Sequence, residues 1–211
     1  IKKAENKSGA TLTINKSVFD LVNAGTTNVK GAIGNTAQNS GIINVTDKTS
    51  AYKFDNAATG TINVNAALTE NTTLTNNGTV NVAAGAEILA PGQGKVNNAG
   101  TINVEGKLKE NVYSKGLINV IGNGIVIAKD IFDNTAGIID VTKANNTDVA
   151  HAAKSNSQTM YFRYTVNVDN ATKLAENELY PRISEENYTK NRISLVWDAT
   201  SPAKYNGTQA L

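Results

Sequence analysis

Apolar and polar side chains alternate in short segments that recur along the first two thirds of the chain. The most regular segment reads Asn-x-Gly-Thr-Ile-Asn-Val, and in one copy Ile62 and Val64 alternate with Thr61 and Asn63. A period of two is typical of a strand with one buried face. The pattern therefore predicts short strands whose Ile and Val side chains point into a core and whose Thr and Asn side chains point outward.

The segment recurs at intervals that indicate a solenoid. Its seven clear copies align on Gly25, Gly41, Gly60, Gly78, Gly100, Gly116 and Gly137, at spacings of 16, 19, 18, 22, 16 and 21 residues, and a weaker copy starts at Gly9. Such a period is typical of coils that bury their apolar faces only against neighbouring coils. A second apolar stripe predicts at least two strands per coil: Leu68 and Leu74, Ile88 and Leu89, Leu108 and Val112, and Ile125 and Ile127.

Asparagine and glycine mark the corners of the coils. Asn usually precedes the repeat glycine by two or three residues, as in Asn76-Asn-Gly78 and Asn98-Ala-Gly100. Because both residue types tolerate left-handed backbone angles, we expect a sharp turn at each of these points. The insertion Ala90-Pro-Gly-Gln-Gly94 is expected to form an outward loop, since Pro and Gly interrupt strand pairing.

The repeat defines the predicted architecture. We expect an all-β fold, a right-handed parallel β-helix (β-solenoid) of about seven to eight short coils over residues 1–144, because crossovers between parallel strands are right-handed. The composition changes after residue 144, where all three Arg, the single Trp and five of the seven Tyr lie. Residues 145–211 are therefore predicted to form a β-rich C-terminal cap or small subdomain that covers the open strand edges.

Composition narrows the function classes. The chain has 30 Asn and 24 Thr, a mixture that disfavours helices. Its formal charge of +2 is too weak for the phosphate-neutralising surface of a nucleic-acid-binding protein. There is no cysteine, so disulfides and thiolate metal sites are excluded. Since no run of about 18 apolar residues occurs, no transmembrane segment is expected, and any export signal or anchor is expected outside this chain, which begins with Ile1.

Candidate catalytic groups are few. Polysaccharide-cleaving β-helices need clustered carboxylates, and the best candidates are Glu70 with Glu110 and Asp130 with Asp133. Charged side chains are mostly exposed, so we expect these four to be solvated surface groups. His151 is the only histidine and lies in a polar segment without a nucleophile motif. We therefore predict no catalytic residue, cofactor site or metal site.

Two surfaces could contact a ligand. The aromatic residues of the second region are the candidate ligand-binding set for a glycan or protein, because flat amphipathic rings are common at recognition surfaces: Tyr161, Tyr164, Tyr180, Tyr188 and Trp197. The outward Thr and Asn of successive copies, such as Thr79 and Asn81, are expected to stack into regular ladders. An ice-binding Thr array is disfavoured because Ile42, Leu117 and Ile138 interrupt it.

In copies such as Gly60-Thr-Ile-Asn-Val64 and Gly100-Thr-Ile-Asn-Val104, the chain resembles the repeat regions of bacterial secreted and surface β-helix proteins. Autotransporter passengers and filamentous-haemagglutinin-like adhesins belong to this group, and the resemblance covers residues 9–144. It implies export, an extracellular or cell-surface location, and a host or surface glycan or protein as partner, but it assigns no functional residue. We therefore predict a non-enzymatic adhesin, spacer or display scaffold, with a polysaccharide-binding or polysaccharide-degrading β-helix protein as the alternative.

Overall fold

The computed structural model describes residues 1–90, 94–128, 132–133, 137–144, 150–152, 160–167, 191–194 and 204–207. Every regular element among them is a β-strand. The strands are β1 (Lys3–Asn6), β2 (Thr11–Ile14), β3 (Ser17–Val18), β4 (Asp20–Asn23), β5 (Thr26–Val29), β6 (Ala32–Asn39), β7 (Ile42–Val45), β8 (Thr49–Asn56), β9 (Thr61–Val64), β10 (Ala67–Asn76), β11 (Thr79–Val82), β12 (Glu87–Leu89), β13 (Lys95–Asn98), β14 (Thr101–Val104), β15 (Lys107–Lys109), β16 (Asn111–Ser114), β17 (Leu117–Gly122), β18 (Ile125–Ala128), β19 (Phe132–Asp133), β20 (Ile138–Ala144), β21 (Ala150–Ala152), β22 (Met160–Asn167), β23 (Asn191–Ser194) and β24 (Lys204–Gly207). No helix in this part of the chain is long and apolar enough to cross a membrane.

The strands stack in parallel in about seven coils, which confirms the predicted β-solenoid. Three columns of paired strands run along the stack. The first column contains the Thr-Ile-Asn-Val strands, from β2 through β5, β7, β9, β11, β14 and β17 to β20. In most coils the second and third columns are formed by separate strands, such as β12 and β13. In β6, β8 and β10 one long strand contributes to both columns, with a register shift between its two parts. Strand β24 pairs antiparallel with β22.

The alternation of the sequence places its apolar side chains in one continuous core. Ile62 and Val64 of the first column are fully buried, as predicted. The second stripe is confirmed for Leu68, Leu74, Ile88, Leu108 and Val112, which have no exposed surface. It is wrong for Leu89 and Ile125, which are only partly buried, because adjacent strand residues point to opposite faces and Ile88 and Val126 take the interior positions. A single coil could not bury these side chains by itself, so the stacking of coils supplies the hydrophobic stabilisation.

The repeat glycines are required for close approach between coils. The predicted left-handed backbone is wrong for Gly25 to Gly116, because the described glycines with positive φ are Gly9, Gly85 and Gly122. A Cβ atom at Gly100 would instead overlap the carbonyl oxygen of Gly78 in the preceding coil. That oxygen accepts a hydrogen bond of 2.8 Å from the amide of Thr101. Glycine therefore lets each corner pack directly on the one before it.

The corner asparagines form a buried ladder beside these glycines. We call it the inner ladder: Asn6, Asn23, Asn39, Asn56, Asn76 and Asn98, continued by Ser114. Each Nδ2 donates to the side chain of the following coil at 2.8–3.0 Å. It also donates to backbone carbonyls of its own corner and of the next coil, as Asn76 does to Gly78 and Thr101. The asparagines therefore serve as buried hydrogen-bonding groups, which the sequence analysis did not predict.

Candidate functional site

A second row of asparagines follows the outer face of the first strand column. We call it the outer ladder: Asn28, Asn44, Asn63, Asn81, Asn103 and Asn119, which lie in register from coil to coil. From Asn44 onward, each Nδ2 donates to Oδ1 of the asparagine in the preceding coil, at 2.7–2.9 Å. This arrangement confirms the predicted stacking of outward Asn side chains. The bonds hold each amide in one orientation, so the row presents a fixed pattern of polar atoms.

The outer ladder retains hydrogen-bonding capacity toward solvent. A side-chain amide has two N–H donors and an oxygen with two lone pairs, and a ladder rung uses one of each. The ladder side chains are half-buried, so one face of each amide remains accessible. The coils are about 4.8 Å apart, so the face offers a donor and an acceptor at that interval. Hydroxyl groups, which both donate and accept, match this pattern.

A groove of about 500 Å³ runs beside the ladder across five successive coils. Its lining combines ladder amides with other residues at the ends of the first-column strands or directly after them: Asn63, Asn65, Asn81, Val82, Ala83, Asn103, Glu105, Asn119, Val120, Ile121, Asp140 and Lys143. Four coil spacings make the lining about 20 Å long. The groove is therefore long enough for an extended ligand, and five of its twelve lining residues are asparagines.

Charged groups lie toward the C-terminal end of this groove. In β20, Asp140 occupies the register position of the ladder, opposite Asn119. Glu105 and Lys143 also line the groove, and both are exposed. One cationic and two acidic side chains give a mixed electrostatic surface rather than a basic stripe, so the groove does not suit a polyanion.

The side chains of the aromatic residues predicted as a ligand-binding set are not among those that the structure describes. Tyr180, Tyr188 and Trp197 lie outside the residues that the structure describes. Tyr161 and Tyr164 belong to β22, for which the structure describes the backbone only. Their role as a binding platform therefore stays a prediction.

The other candidate residues from the sequence either lie outside the described residues or are described by their backbone only. Asp130 and the centre of the predicted loop, residues 91–93, lie outside the described residues. Asp133 and His151 belong to β19 and β21, whose side chains are likewise not described. Within the described part of the chain, no three His, Cys, Asp or Glu side chains gather where they could hold a metal ion.

Glu70 and Glu110 correct an expectation of the sequence analysis. Both were expected to be solvated, but both are fully buried. Leu89 pairs with Thr69 in the preceding coil and with Lys109 in the following coil. The next residues, Glu70, Ala90 and Glu110, therefore share one interior register position, with the two glutamates two coils apart. Burial raises the pKa of Glu70 to about 7, and the nearby backbone amides of Thr72 and Lys95 oppose that rise. Both glutamates lie at the same distance along the chain from their repeat glycines, and this was the sequence feature that could have indicated their shared position in the coil.

Glu70→Gln is expected to change how stability depends on pH in a metal-free buffer. The pKa of Glu70 is raised in the folded state, so its protonated form stabilises the fold fully below about pH 4.5. That contribution declines as the pH rises and is lost above about pH 7, which lowers the free energy of unfolding of the wild type by about 3 kcal/mol. Urea unfolding at pH 5 and pH 8 should therefore show a smaller difference for Glu70→Gln than for the wild type. Parallel pH profiles for the two proteins would contradict this assignment.

Comparison with known proteins identified no relative: no protein-family model, curated protein or solved structure matches this chain.

Proposed function

We propose that this protein is a non-catalytic bacterial surface or secreted β-solenoid that acts as an adhesin or display scaffold and contacts a glycan along the outer-ladder groove. The amide-lined groove is the observation that supports this function. Its amides are fixed by ladder bonds, so a bound chain would not have to order them, which lowers the entropic cost of binding. Cell-surface location and export are supported by the resemblance of the repeat to bacterial surface β-helix proteins.

The chemistry of the groove favours an uncharged, polyhydroxylated polymer. Regularly spaced amides can exchange hydrogen bonds with successive sugar hydroxyls, whereas a strongly anionic chain would meet Glu105 and Asp140. Ala83 and Ile121, which line the groove and are partly exposed, add apolar surface for the carbon-bound faces of the sugars. A stack of parallel strands is also suited to the spacer role, because it provides length without a large globular core.

Removing two amides from the groove is expected to weaken glycan binding. Asn81→Ala/Asn103→Ala should lower the affinity for a glycan selected on an array at least about tenfold, because each lost neutral hydrogen bond contributes about 1 kcal/mol. The measurement is titration calorimetry with the selected oligosaccharide. Asn28→Ala/Asn44→Ala is the matched control, since these residues belong to the same ladder but do not line the groove. Equal losses in both variants would contradict the groove assignment.

The alternative function, polysaccharide degradation, is distinguished by the products. Incubation of the full chain with the selected glycan should leave its length distribution unchanged while binding saturates. The appearance of shorter oligosaccharides would overturn the non-catalytic proposal. Chromatography of the same samples measures both the binding of the glycan and its length distribution.

A further inference from the structure

An asparagine directly precedes the repeat glycine at the corner between β10 and β11. This pair is Asn77-Gly78, and the same position before the other repeat glycines holds Ala24, Ser40, Thr59, Ala99 or Lys115. The corner therefore does not require an asparagine in order to fold. An Asn-Gly pair joins a side-chain amide to the least hindered backbone nitrogen, because glycine has no Cβ atom.

The Asn77 side chain is accessible and is not held in place. It is exposed and makes no hydrogen bond to the residues that the structure describes. The neighbouring Asn76 differs, since its amide is buried and donates to Gly78 and Asn98. No hydrogen bond therefore has to break before a nucleophile or water reaches the Cγ atom of Asn77.

The backbone nitrogen of Gly78 is less firmly held than its neighbours. Asn77 N donates to the carbonyl of Asn56 at 2.9 Å. Thr79 N donates to the carbonyl of Gly60, also at 2.9 Å. Between them, Gly78 N makes no hydrogen bond of regular geometry within the described part of the chain. The nitrogen next to the Asn77 side chain is thus available as a nucleophile.

We propose that Asn77 is a site of spontaneous deamidation through a succinimide. The Gly78 nitrogen attacks Cγ of Asn77, so a new C–N bond closes the ring while the bond from Cγ to Nδ2 breaks. Ammonia leaves and carries away the proton of the Gly78 amide. Water then opens the ring at either carbonyl and yields aspartate or isoaspartate. The site is independent of the proposed glycan groove, which Asn77 does not line.

Isoaspartate at this corner would disturb the stack. It routes the main chain through the former side chain and so lengthens the backbone by a carbon atom. The corner has no room for this, because even a Cβ atom at Gly78 would overlap the carbonyl oxygen of Gly60. Displacement of Gly78 would break the adjacent bond from Thr79 to Gly60 and shift Asn76 within the inner ladder. The modification therefore weakens the contact between coils.

Other asparagines that precede a small residue are better protected. In Asn123-Gly124 the glycine nitrogen donates to the carbonyl of Ile121 at 2.9 Å. Loss of that bond costs about 1 kcal/mol, so Asn77 should convert about fivefold faster than Asn123. Asn39, which precedes Ser40, is protected further because its buried amide belongs to the inner ladder.

The first test follows deamidation in the full chain. Folded protein is kept at 37 °C at pH 7 and at pH 9, and its peptides are analysed at intervals by chromatography and sequence-resolved mass spectrometry. Asn77 should be modified about fivefold faster than Asn123, with both aspartate and isoaspartate as products. The rate should rise with pH, because the attacking nitrogen must lose its proton. Modification of Asn123 or Asn39 before Asn77, or an intact Asn77, would overturn the proposal.

The second test measures what the modification does to the fold. The isoaspartate fraction of aged wild-type protein should unfold at a Tm at least about 5 °C lower than fresh protein. Fresh Asn77→Asp should keep the wild-type Tm within about 2 °C, since the side chain is exposed, and it separates the added charge from the longer backbone. Aged Asn77→Ala should show no loss, and this corner already accepts alanine at Ala24 and Ala99. An equal loss of Tm in aged Asn77→Ala would show that Asn77 is not the residue responsible.

Discussion

Gly100→Ala is expected to lower the free energy of unfolding by more than about 3 kcal/mol, because the added methyl group has no space between two coils. A Cβ at this position would overlap the carbonyl oxygen of Gly78 and lie 2.7 Å from the carbonyl carbon of Asn77. Both neighbours are backbone atoms, so a rotamer change cannot relieve the overlap. The coils would have to separate, which would weaken the adjacent bond from the Thr101 amide to Gly78.

Gly34→Ala is the matched control for this substitution. Gly34 lies in strand β6, where it is exposed and its Cβ would meet chiefly the side chain of Phe19 at 3.1 Å. Phe19 is 55 % exposed and can move. In urea unfolding we expect the free energy of unfolding of this variant to change by no more than about 1 kcal/mol, since alanine is more favourable than glycine in a strand. Equal losses in both variants would show that the corner contact is not what destabilises Gly100→Ala.

Asn76→Leu is expected to lower the free energy of unfolding by about 4 kcal/mol, although leucine has a similar volume and matches the apolar core. The Asn76 amide donates to Asn98 Oδ1 at 2.8 Å and to the carbonyl of Thr101 at 3.1 Å. Its own Oδ1 accepts from Asn56 Nδ2 at 2.8 Å. Leucine would leave these buried groups with fewer hydrogen bonds, and each unsatisfied group costs about 1–3 kcal/mol.

The adjacent Asn77 provides the control for Asn76→Leu. Asn77 has the same chemistry one position later, but its side chain is exposed. Asn77→Ala should therefore change the free energy of unfolding by less than about 0.5 kcal/mol in the same urea titration. If Asn76→Leu were equally mild, the inner ladder would not contribute the stability that we assign to it.

The sequence was sufficient to predict the strands and the core. The alternation of Ile62 and Val64 with Thr61 and Asn63 follows directly from the geometry of a strand with one buried face. The register of the stack was also predictable, because the aligned glycines bring equivalent residues such as Asn81 and Asn103 side by side. Periodicity is enough for these features, since it sets the inward and outward faces within a coil and the alignment of equivalent residues between coils.

The roles of individual polar residues could not be predicted in the same way. Asn76 and Asn77 are identical in type, and only the direction of the chain at the corner places the first inside and the second outside. Likewise, Gly100 is explained by an atom in another coil rather than by its own backbone angles. Interactions between coils depend on the path of each corner, which residue types alone do not specify.

The same limitation applies to the candidate sites. The stacking of Asn63, Asn81 and Asn103 was predicted, but the groove beside them is formed by residues at the strand ends of several coils. The burial of Glu70 and Glu110 contradicts the general tendency of charged side chains to be exposed. Their shared position within the repeat was visible, but the interior orientation of that position became clear only from the strand register.

The two asparagine ladders donate their hydrogen bonds in opposite directions along the stack. Outer-ladder amides such as Asn103 donate toward the N-terminal coils, whereas inner-ladder amides such as Asn76 donate toward the C-terminal coils. Each row aligns its amide dipoles head to tail, as the peptide groups of a helix do. Because the rows are opposed, their dipoles largely cancel. The terminal groups of the two rows therefore carry partial charges of opposite sign at each end of the stack, so neither end acquires the net partial charge that a helix terminus carries.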